Sequence, residues 1–497
     1  MTESIVSNTS IVETNSEYEA VIGLEVHAQL LTESKAFCGC SSDFGALPNT
    51  NVCPVCLGHP GSLPKLNRNL VEFILKMGLA TGCKIREHSI FSRKNYFYAD
   101  LPKGYQISQY SDPICYDGKI EIELGDGATK RIGITRIHME EDTGKSIHDL
   151  DIDTLIDYNR CGVPLIEIVS EPDIRSATEA YQYLMQIRQI VMYLGICDGN
   201  LEEGSLRCDA NVSVRKRGST KFGVKTEVKN LNSFRNVEKA IGYETDRQIA
   251  LIKSGGFVTQ ETRMWDASSQ QTKLMRSKEQ AHDYRYFPEP DLAGVYVNAE
   301  WVERVKSVLP ELPMERKQRF MNFYGLPRYD AGIFVEDKSL SDFFERCAGE
   351  LETKSADRFK AVSNWIMTEV MRILSDRKIG INELAVLPKH IAELVELFVG
   401  EVVSSKIAKE IFSDVLANGK SPKVIVSEKN LAQISDVAQI EKAVSEILAA
   451  NGDNVEKYKA GKTNLFGFFV SQTLKATGGR ANPRIVTEEL QRQLNAV

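Results

Sequence analysis

The sequence predicts an α+β protein: a strand-rich first part built on a mainly antiparallel sheet, then helical regions to the end. Three observations carry this. Stretches such as VIGLEVHAQL (21–30) alternate apolar and polar residues at the period of a half-buried strand. Gly-rich, hairpin-like turns separate such stretches, and only two long helical patterns interrupt them. Beyond the Pro-bearing YFPEPDLAGVYV the apolar spacing changes to that of helices and stays so.

Residues 1–18 are acidic and rich in Ser and Thr, and read as a disordered leader. They lack the apolar block of a signal peptide and the arginines of a transit peptide. A strand-rich domain is expected over 19–293. Its first helix, SATEAYQYLMQIRQIVMYLG, opens with Ser176 and Glu179 in capping-box spacing and stops at Gly195. Its second starts near Ser233 and stops at Gly255 and Gly256. Residues 294–410 read as a helical domain, with segments such as AEWVERVKSVL and DRFKAVSNWIMTEVMRIL. Residues 411–497 read as a tail of smaller helices separated by NGKSP, NGDN and GKTN.

At 497 residues, 42% hydrophobic and 26% charged, the chain has the composition of a soluble globular protein of two to four domains. No apolar run is long enough to span a bilayer. The net charge of −7 argues against a surface that coats nucleic acid everywhere, and leaves room for a local basic patch. Ten cysteines without an export signal are expected to be reduced.

Four of them cluster. FCGC and NVCPVC place Cys38, Cys40, Cys53 and Cys56 as C-x-C followed by C-x-x-C, on two tight turns. Four thiolates so close in the chain suit a tetrahedral structural zinc site. A redox C-x-x-C is the alternative, but it has no need of the second pair. The other six cysteines sit in apolar or mixed surroundings and read as core.

In VIGLEVHAQL, Ile22, Leu24, Val26, Ala28 and Leu30 take one side of the strand, leaving Glu25, His27 and Gln29 on the other. The pattern recurs. ITRIHMEED puts Arg136, His138 and Glu140 together. SLRCDANVSV leaves Arg207, Asp209, Asn211 and Ser213 opposite an apolar side, and GVKTEVKN leaves Lys225, Glu227 and Lys229 opposite Val224, Thr226 and Val228. Any one of these strands fits a solvated sheet face. Together they describe a metal-and-phosphate platform: clustered carboxylates repel unless cations sit between them, and Lys and Arg can neutralise phosphoryl oxygens. There is no Walker A motif, because the position five before Gly461 in the GKT run is Glu456. Nor is there a nucleophile elbow.

Long motifs carry a resemblance. VIGLEVHAQL, NVCPVCLGHPGSLPKLN, NYFYADLPKGYQISQ, HMEEDTGKS, DYNRCGVPLIEIVSEPD, GSLRCDANVSV and EVKNLNSFRNVEKAI closely resemble the B subunits of tRNA-dependent amidotransferases. The likeness runs from about residue 19 to the C-terminus. It implies a subunit that uses ATP to phosphorylate the side-chain carboxylate of Glu-tRNA(Gln) or Asp-tRNA(Asn). Ammonia from a separate amidase (A) subunit then displaces phosphate, and a small C subunit completes the complex. It implies a catalytic cradle related in fold to glutamine synthetase and guanidino kinases. Carried over by residue, it implies Mg²⁺ ligands at Glu25, His27 and Glu140, with Glu227 and Asp209 as further ligands, and zinc at Cys38, Cys40, Cys53 and Cys56. Lys103 in DLPKGYQ and Arg207 are chosen here for phosphate contacts; the resemblance does not assign them clearly, and a surface salt bridge serves Lys103 at least as well. The length, without an inserted synthetase-like domain, resembles the bacterial type, and a cytoplasmic location is expected.

The tail resembles the family's tRNA-elbow domain. Lys457, Lys459, Lys462, Lys475, Arg480 and Arg484 surround a Phe-rich helix and a Gly-Gly turn, a pattern suited to phosphate contacts rather than base readout. For any single lysine, a solvated helix face above Phe466, Phe468 and Phe469 serves equally well. A zinc-stabilised tRNA-binding scaffold is the rival to the enzyme, and a free-standing amino-acid-amide ligase the third reading.

Overall fold

The computed structural model describes residues 17–125, 127–148, 150–277, 284–432 and 437–496. Most of the expected leader therefore lies outside the described residues, but Tyr18 does not belong to it: Tyr18 opens a strand and pairs with Lys216. The chain divides into two compact units, the first ending at Pro313 and the second beginning at Met314.

The first unit holds a nine-stranded sheet. Its strands are β1 (Tyr18–Gln29), β2 (Lys84–Ile85), β3 (Cys115–Glu123), β4 (Thr129–Glu141), β5 (Pro164–Ser170), β6 (Leu206–Lys216), β7 (Thr226–Lys229), β8 (Glu261–Asp266) and β9 (Gln271–Ser277). They lie in the order β9-β8-β7-β6-β1-β5-β4-β3-β2, with only β7 and β8 parallel. Strand β1 is thus central, flanked by β6 and β5. The turn at GDGATK joins β3 to β4, and Gly127 there has a φ of 84°, which a side chain would disfavour.

The apolar side of the sheet makes the core. Ile22, Leu24, Val26 and Ala28 of β1 are fully buried against helices α1 (Arg68–Ala80), α2 (Ala177–Tyr193) and α3 (Phe234–Lys253). Ser176 and Ser233 cap α2 and α3, each accepting from the backbone N–H three residues on. Thr226 and Val228 are buried as the alternation required, but Val224 lies before β7 and is exposed. Helix Ala299–Ser307, which the sequence pattern placed with the helical domain, packs on the first unit's core through Trp301, Val302 and Val305. With the helices on one face, the other face of the sheet is left to the polar residues. Three short strands, Ser92–Asn95, Tyr105–Ser108 and Arg285–Pro288, form a small antiparallel sheet that reaches this polar face.

The second unit is helical and has two cores. The larger draws on residues from Phe320 to Val426, and the smaller on Ile440 to Leu494. Ile411, Phe412 and Val415 belong to the larger one, so the separate tail core begins at helix Val437–Ala450, later than position 411. Among the described residues no helix is long and apolar enough to cross a membrane.

Candidate active site

Register assembles the site. Across the polar face one row runs Arg207, His27, Glu167, His138, each paired with the next on the neighbouring strand. Two residues along β1, Glu25 pairs with Asp209, and Glu227 pairs with Asn211 one step away on β6. Residues remote in the chain, Glu25 and Glu227 among them, therefore meet because strand pairing fixes which side chains share a face.

Two groups of ligand atoms result. One oxygen or nitrogen each from His27, Glu140 and Glu167 lies within 4.8 Å of the others, and the same holds for Glu25, Asp209 and Glu227. Basic side chains already sit against both. His138 Nε2 is 3.3 Å from Glu140 and 3.5 Å from Glu167, and His27 Nε2 is 3.3 Å from Glu167. Lys94 Nζ is 3.7 Å from Glu140, whose Oε1 also accepts from Ser108 at 2.6 Å. The Lys229 ammonium donates to Asp209 and lies 3.0 Å from Glu227. Asn211 donates to Glu25 at 2.9 Å, and Thr262 to Glu227 at 2.9 Å.

The electrostatics separate the acids. Burial opposes ionisation of Glu140, but Lys94 and His138 outweigh it and hold its carboxyl well below the usual range. Burial likewise opposes ionisation of Glu167, yet His138 and His27 bring it down to about 2. Glu25 goes the other way: burial raises its pKa, and Glu167, Glu227 and Asp209 raise it further. The pKa of His27 is raised, because Glu167 overcomes the burial that disfavours the imidazolium.

The acids open into adjoining cavities. One of about 270 Å³ is lined by Glu25, His27, Glu167, Arg136 and the tyrosines Tyr110, Tyr284 and Tyr286. A second, about 370 Å³, continues past His27 to Arg207, Asp142 and Asn230. A third, about 300 Å³, extends from Glu25 in the other direction, to Val21, Pro172, Phe222 and Lys225. Arg136 Nε is buried with no hydrogen-bond partner.

The structure thus places the strands in one sheet and brings Glu25, His27, Glu140, Asp209 and Glu227 to one face of it. Arg207 is beside them, held by Asp142 at 2.9 Å. Lys103 is not. Its ammonium is buried and bonds Glu141, the neighbour of Glu140 that points away from the acids, and it lines none of the three cavities. The salt bridge that the sequence offered as the alternative for Lys103 is what forms, though buried and with Glu141. Sequence reasoning also missed Glu167, Lys94 and Asp142. Glu167 had a readable signal: it is the lone charge in the apolar run PLIEIV. Lys94 had none, since it comes from outside the main sheet.

The four knuckle cysteines converge as well. Their sulfurs lie within 4.8 Å of one another, and the backbone N–H of Cys53 donates to Cys56 Sγ at 3.2 Å. Lys35, fully buried, donates to Asn51 O at 2.7 Å and lies 3.8 Å from Cys56 Sγ. Contact with Cys38 brings the Cys56 thiol down to about 5, while burial takes Cys40 up to about 11. In the tail, Lys457, Lys459, Lys462, Lys475 and Arg484 are exposed; Arg480 is half-buried and donates to Asn430 O at 3.1 Å. Phe469 is buried in the tail core, with Phe466 and Phe468 partly so.

A family model described as GatB/GatE catalytic domain matches residues 20–303, and one described as GatB domain matches 342–494. The B subunit of the aspartyl/glutamyl-tRNA(Asn/Gln) amidotransferase of Thermodesulfovibrio yellowstonii is 56% identical over 95% of this chain and 98% of its own length. The B subunits of the same enzyme from Chlorobium phaeobacteroides and Chlorobaculum tepidum are 53% and 54% identical over 96% of this chain, and over 99% and 100% of theirs. Alignment at this identity along nearly the whole of both chains means that the chain belongs to the family of amidotransferase B subunits.

Proposed function

We propose that this protein is the kinase and transamidase subunit of a tRNA-dependent amidotransferase, a carbon–nitrogen ligase. It phosphorylates the side-chain carboxylate of Glu-tRNA(Gln), Asp-tRNA(Asn) or both with ATP, and converts the acyl phosphate to the amide. The observation that carries this is the pair of ligand groups on adjacent rows of one sheet face. A surface that only binds tRNA has no use for buried acids held apart by His138, Lys94 and Lys229.

The donor set fits divalent metal. Oxygens dominate both groups, and ammonium or imidazole groups already occupy the places where positive charge is needed. Glu25, Asp209 and Glu227 would hold one Mg²⁺, and His27, Glu140 and Glu167 another; bound there, the ions supply neutralisation of phosphate oxygens. The chain's own residues do the rest. Phe222, Val21 and Pro172 form an apolar pocket for the adenine of ATP, which sets its phosphates toward Glu25. Arg136 and Lys94 line the central cavity and Arg207 its continuation, where they can bind anionic oxygens of phosphate or acyl phosphate. In the first step a substrate carboxylate oxygen bonds to the γ-phosphorus and ADP leaves. In the second, ammonia nitrogen bonds to the acyl carbon and phosphate leaves, with a proton lost from nitrogen. An antiparallel sheet carrying acids on one face supports the kinship with glutamine synthetase and guanidino kinases.

Four convergent thiols fit a structural zinc ion held by Cys38, Cys40, Cys53 and Cys56. The exposed tail cations Lys457, Lys459, Lys462 and Arg484 suit the tRNA backbone, while Arg480 bonds Asn430 at the end of helix Pro422–Lys429. The partners are the amidase (A) subunit, the small C subunit and charged tRNA, in the bacterial cytoplasm. Glu140→Gln tests the proposal: ATP hydrolysis stimulated by Glu-tRNA should fall by about 10²-fold or more, with tRNA affinity held within a few fold. Unchanged hydrolysis would leave a zinc-stabilised scaffold as the better account.

A further inference from the structure

Tyr286 of the small sheet, and Tyr96, Tyr98, Tyr110 and Tyr284 in the segments flanking its strands, make a cluster that the chemistry described so far does not use. Tyr96 contacts Tyr98 and Tyr284, Tyr284 contacts Tyr286, and Tyr286 stacks on Tyr110 with centroids 4.1 Å apart and planes at 16°. Tyr110, Tyr284 and Tyr286 line the same cavity as Glu25, His27 and Glu167. Lys94 joins the two layers, 4.9 Å from the Tyr284 ring centre and 3.7 Å from Glu140.

Aromatic rings that merely covered the sheet would be buried, since burial is what such rings gain from covering. Instead Tyr110 is 59% and Tyr284 44% exposed, lining a cavity whose other walls are charged and polar. An amphipathic roof of part-exposed rings beside anion-binding cations suits one class of ligand: a flat base attached to a charged backbone.

We infer that this tyrosine cluster binds a nucleobase, the unpaired 3′-terminal adenosine of charged tRNA. The inference rests on the proposed function for the identity of the occupant. In an aminoacylated tRNA the reacting acyl chain is esterified to the ribose of that same terminal nucleotide. Its base is therefore tethered to the carboxylate through one ribose and one amino-acid side chain, and its holder must lie near the acids. The base of ATP has a separate place: the Phe222 cavity runs from Glu25 toward Val21 along β1, away from His27. The two bases would then approach the acids from different sides, which in-line transfer between their attached groups requires.

The test uses the assembled amidotransferase and tRNA(Gln) carrying 2-aminopurine at its 3′ terminus, whose fluorescence is quenched on stacking. Wild type and Tyr110→Phe should quench it. Tyr110→Ala and Tyr284→Ala should not, although filter binding still finds the tRNA held. In ATP hydrolysis, the alanine variants should raise KM for Glu-tRNA about tenfold, with Tyr110→Phe close to wild type. A probe that stays bright on bound wild-type enzyme, or quenches equally with the alanine variants, overturns the inference. So does a rise in KM for ATP in place of tRNA. Quenching by an enzyme that shows no tRNA-stimulated ATP hydrolysis would sink the kinase reading and leave the base site standing.

Discussion

Glu167 and Glu25 are neighbours with opposite electrostatics. Glu167 is held near 2 although burial disfavours its charge, because His138 and His27 face it. Its contribution to stability is present above the ordinary carboxylate pKa and is lost as pH falls toward about 2. Glu25 is raised, first by burial and then by three carboxylates. Its protonated form favours the fold, so that contribution is present at low pH and is lost as pH rises past the ordinary carboxylate range. At neutral pH the ionised Glu25 carboxylate therefore costs stability. Glu25→Gln is expected to raise Tm by about 2 °C or more in chelator at pH 7, and to shrink the further rise that Mg²⁺ or Mn²⁺ gives wild type. Calorimetry with and without metal checks both; an unmoved Tm would mean that the cluster is not strained by its own charge. Glu167→Gln should lower tRNA-stimulated ATP hydrolysis as severely as Glu140→Gln, read in the same assay. Alternation along single strands exposed Glu25, His27, Glu140, Asp209 and Glu227. It could not expose Lys94, because side-chain period says nothing about what a separate sheet lays over the face.

At the scale of elements, the cysteine knuckles were legible because their geometry is local: two short turns bring each pair together without help from the rest of the fold. What spacing did not show is Lys35, a fully buried ammonium beside Cys56. A buried cation needs an anionic partner, and a metal-bound thiolate provides one. Cys56→Ser should leave the purified protein with about one zinc fewer per chain by atomic absorption, and lower Tm by about 5 °C. Full zinc content in that variant would remove Cys56 from the ligand set. Helices α2 and α3 began where Ser176 and Ser233 predicted, since a cap is also a local device. Helix Ala299–Ser307 went to a different unit from the one its neighbours in sequence suggested, because Trp301 and Val305 find their apolar partners on α1.

For the whole molecule, the two cores of the second unit set where a deletion can be made. Removal from 411 would strip Ile411, Phe412 and Val415 from the larger core. Removal from 437 takes only the smaller core and the exposed Lys457, Lys459, Lys462, Lys475 and Arg484. The shorter deletion should weaken tRNA binding and flatten its salt dependence, by about 0.7–0.9 in slope for each phosphate no longer neutralised. The Tm of the first unit should stay in place. Equal affinity and slope in the truncated protein would take the tail out of tRNA binding.

By itself the sequence determined the α+β division, the polar face of each strand, the caps and the cysteine cluster. All depend on spacing within a dozen or so residues, where backbone period fixes direction. Only the tertiary structure decided that β1 lies between β5 and β6, that Glu167 stands between two histidines, that Lys103 turns to Glu141, and that tyrosines roof the acids. Those outcomes depend on strand order and register between segments far apart in the chain, which are chosen by burying one shared core and leave no local trace.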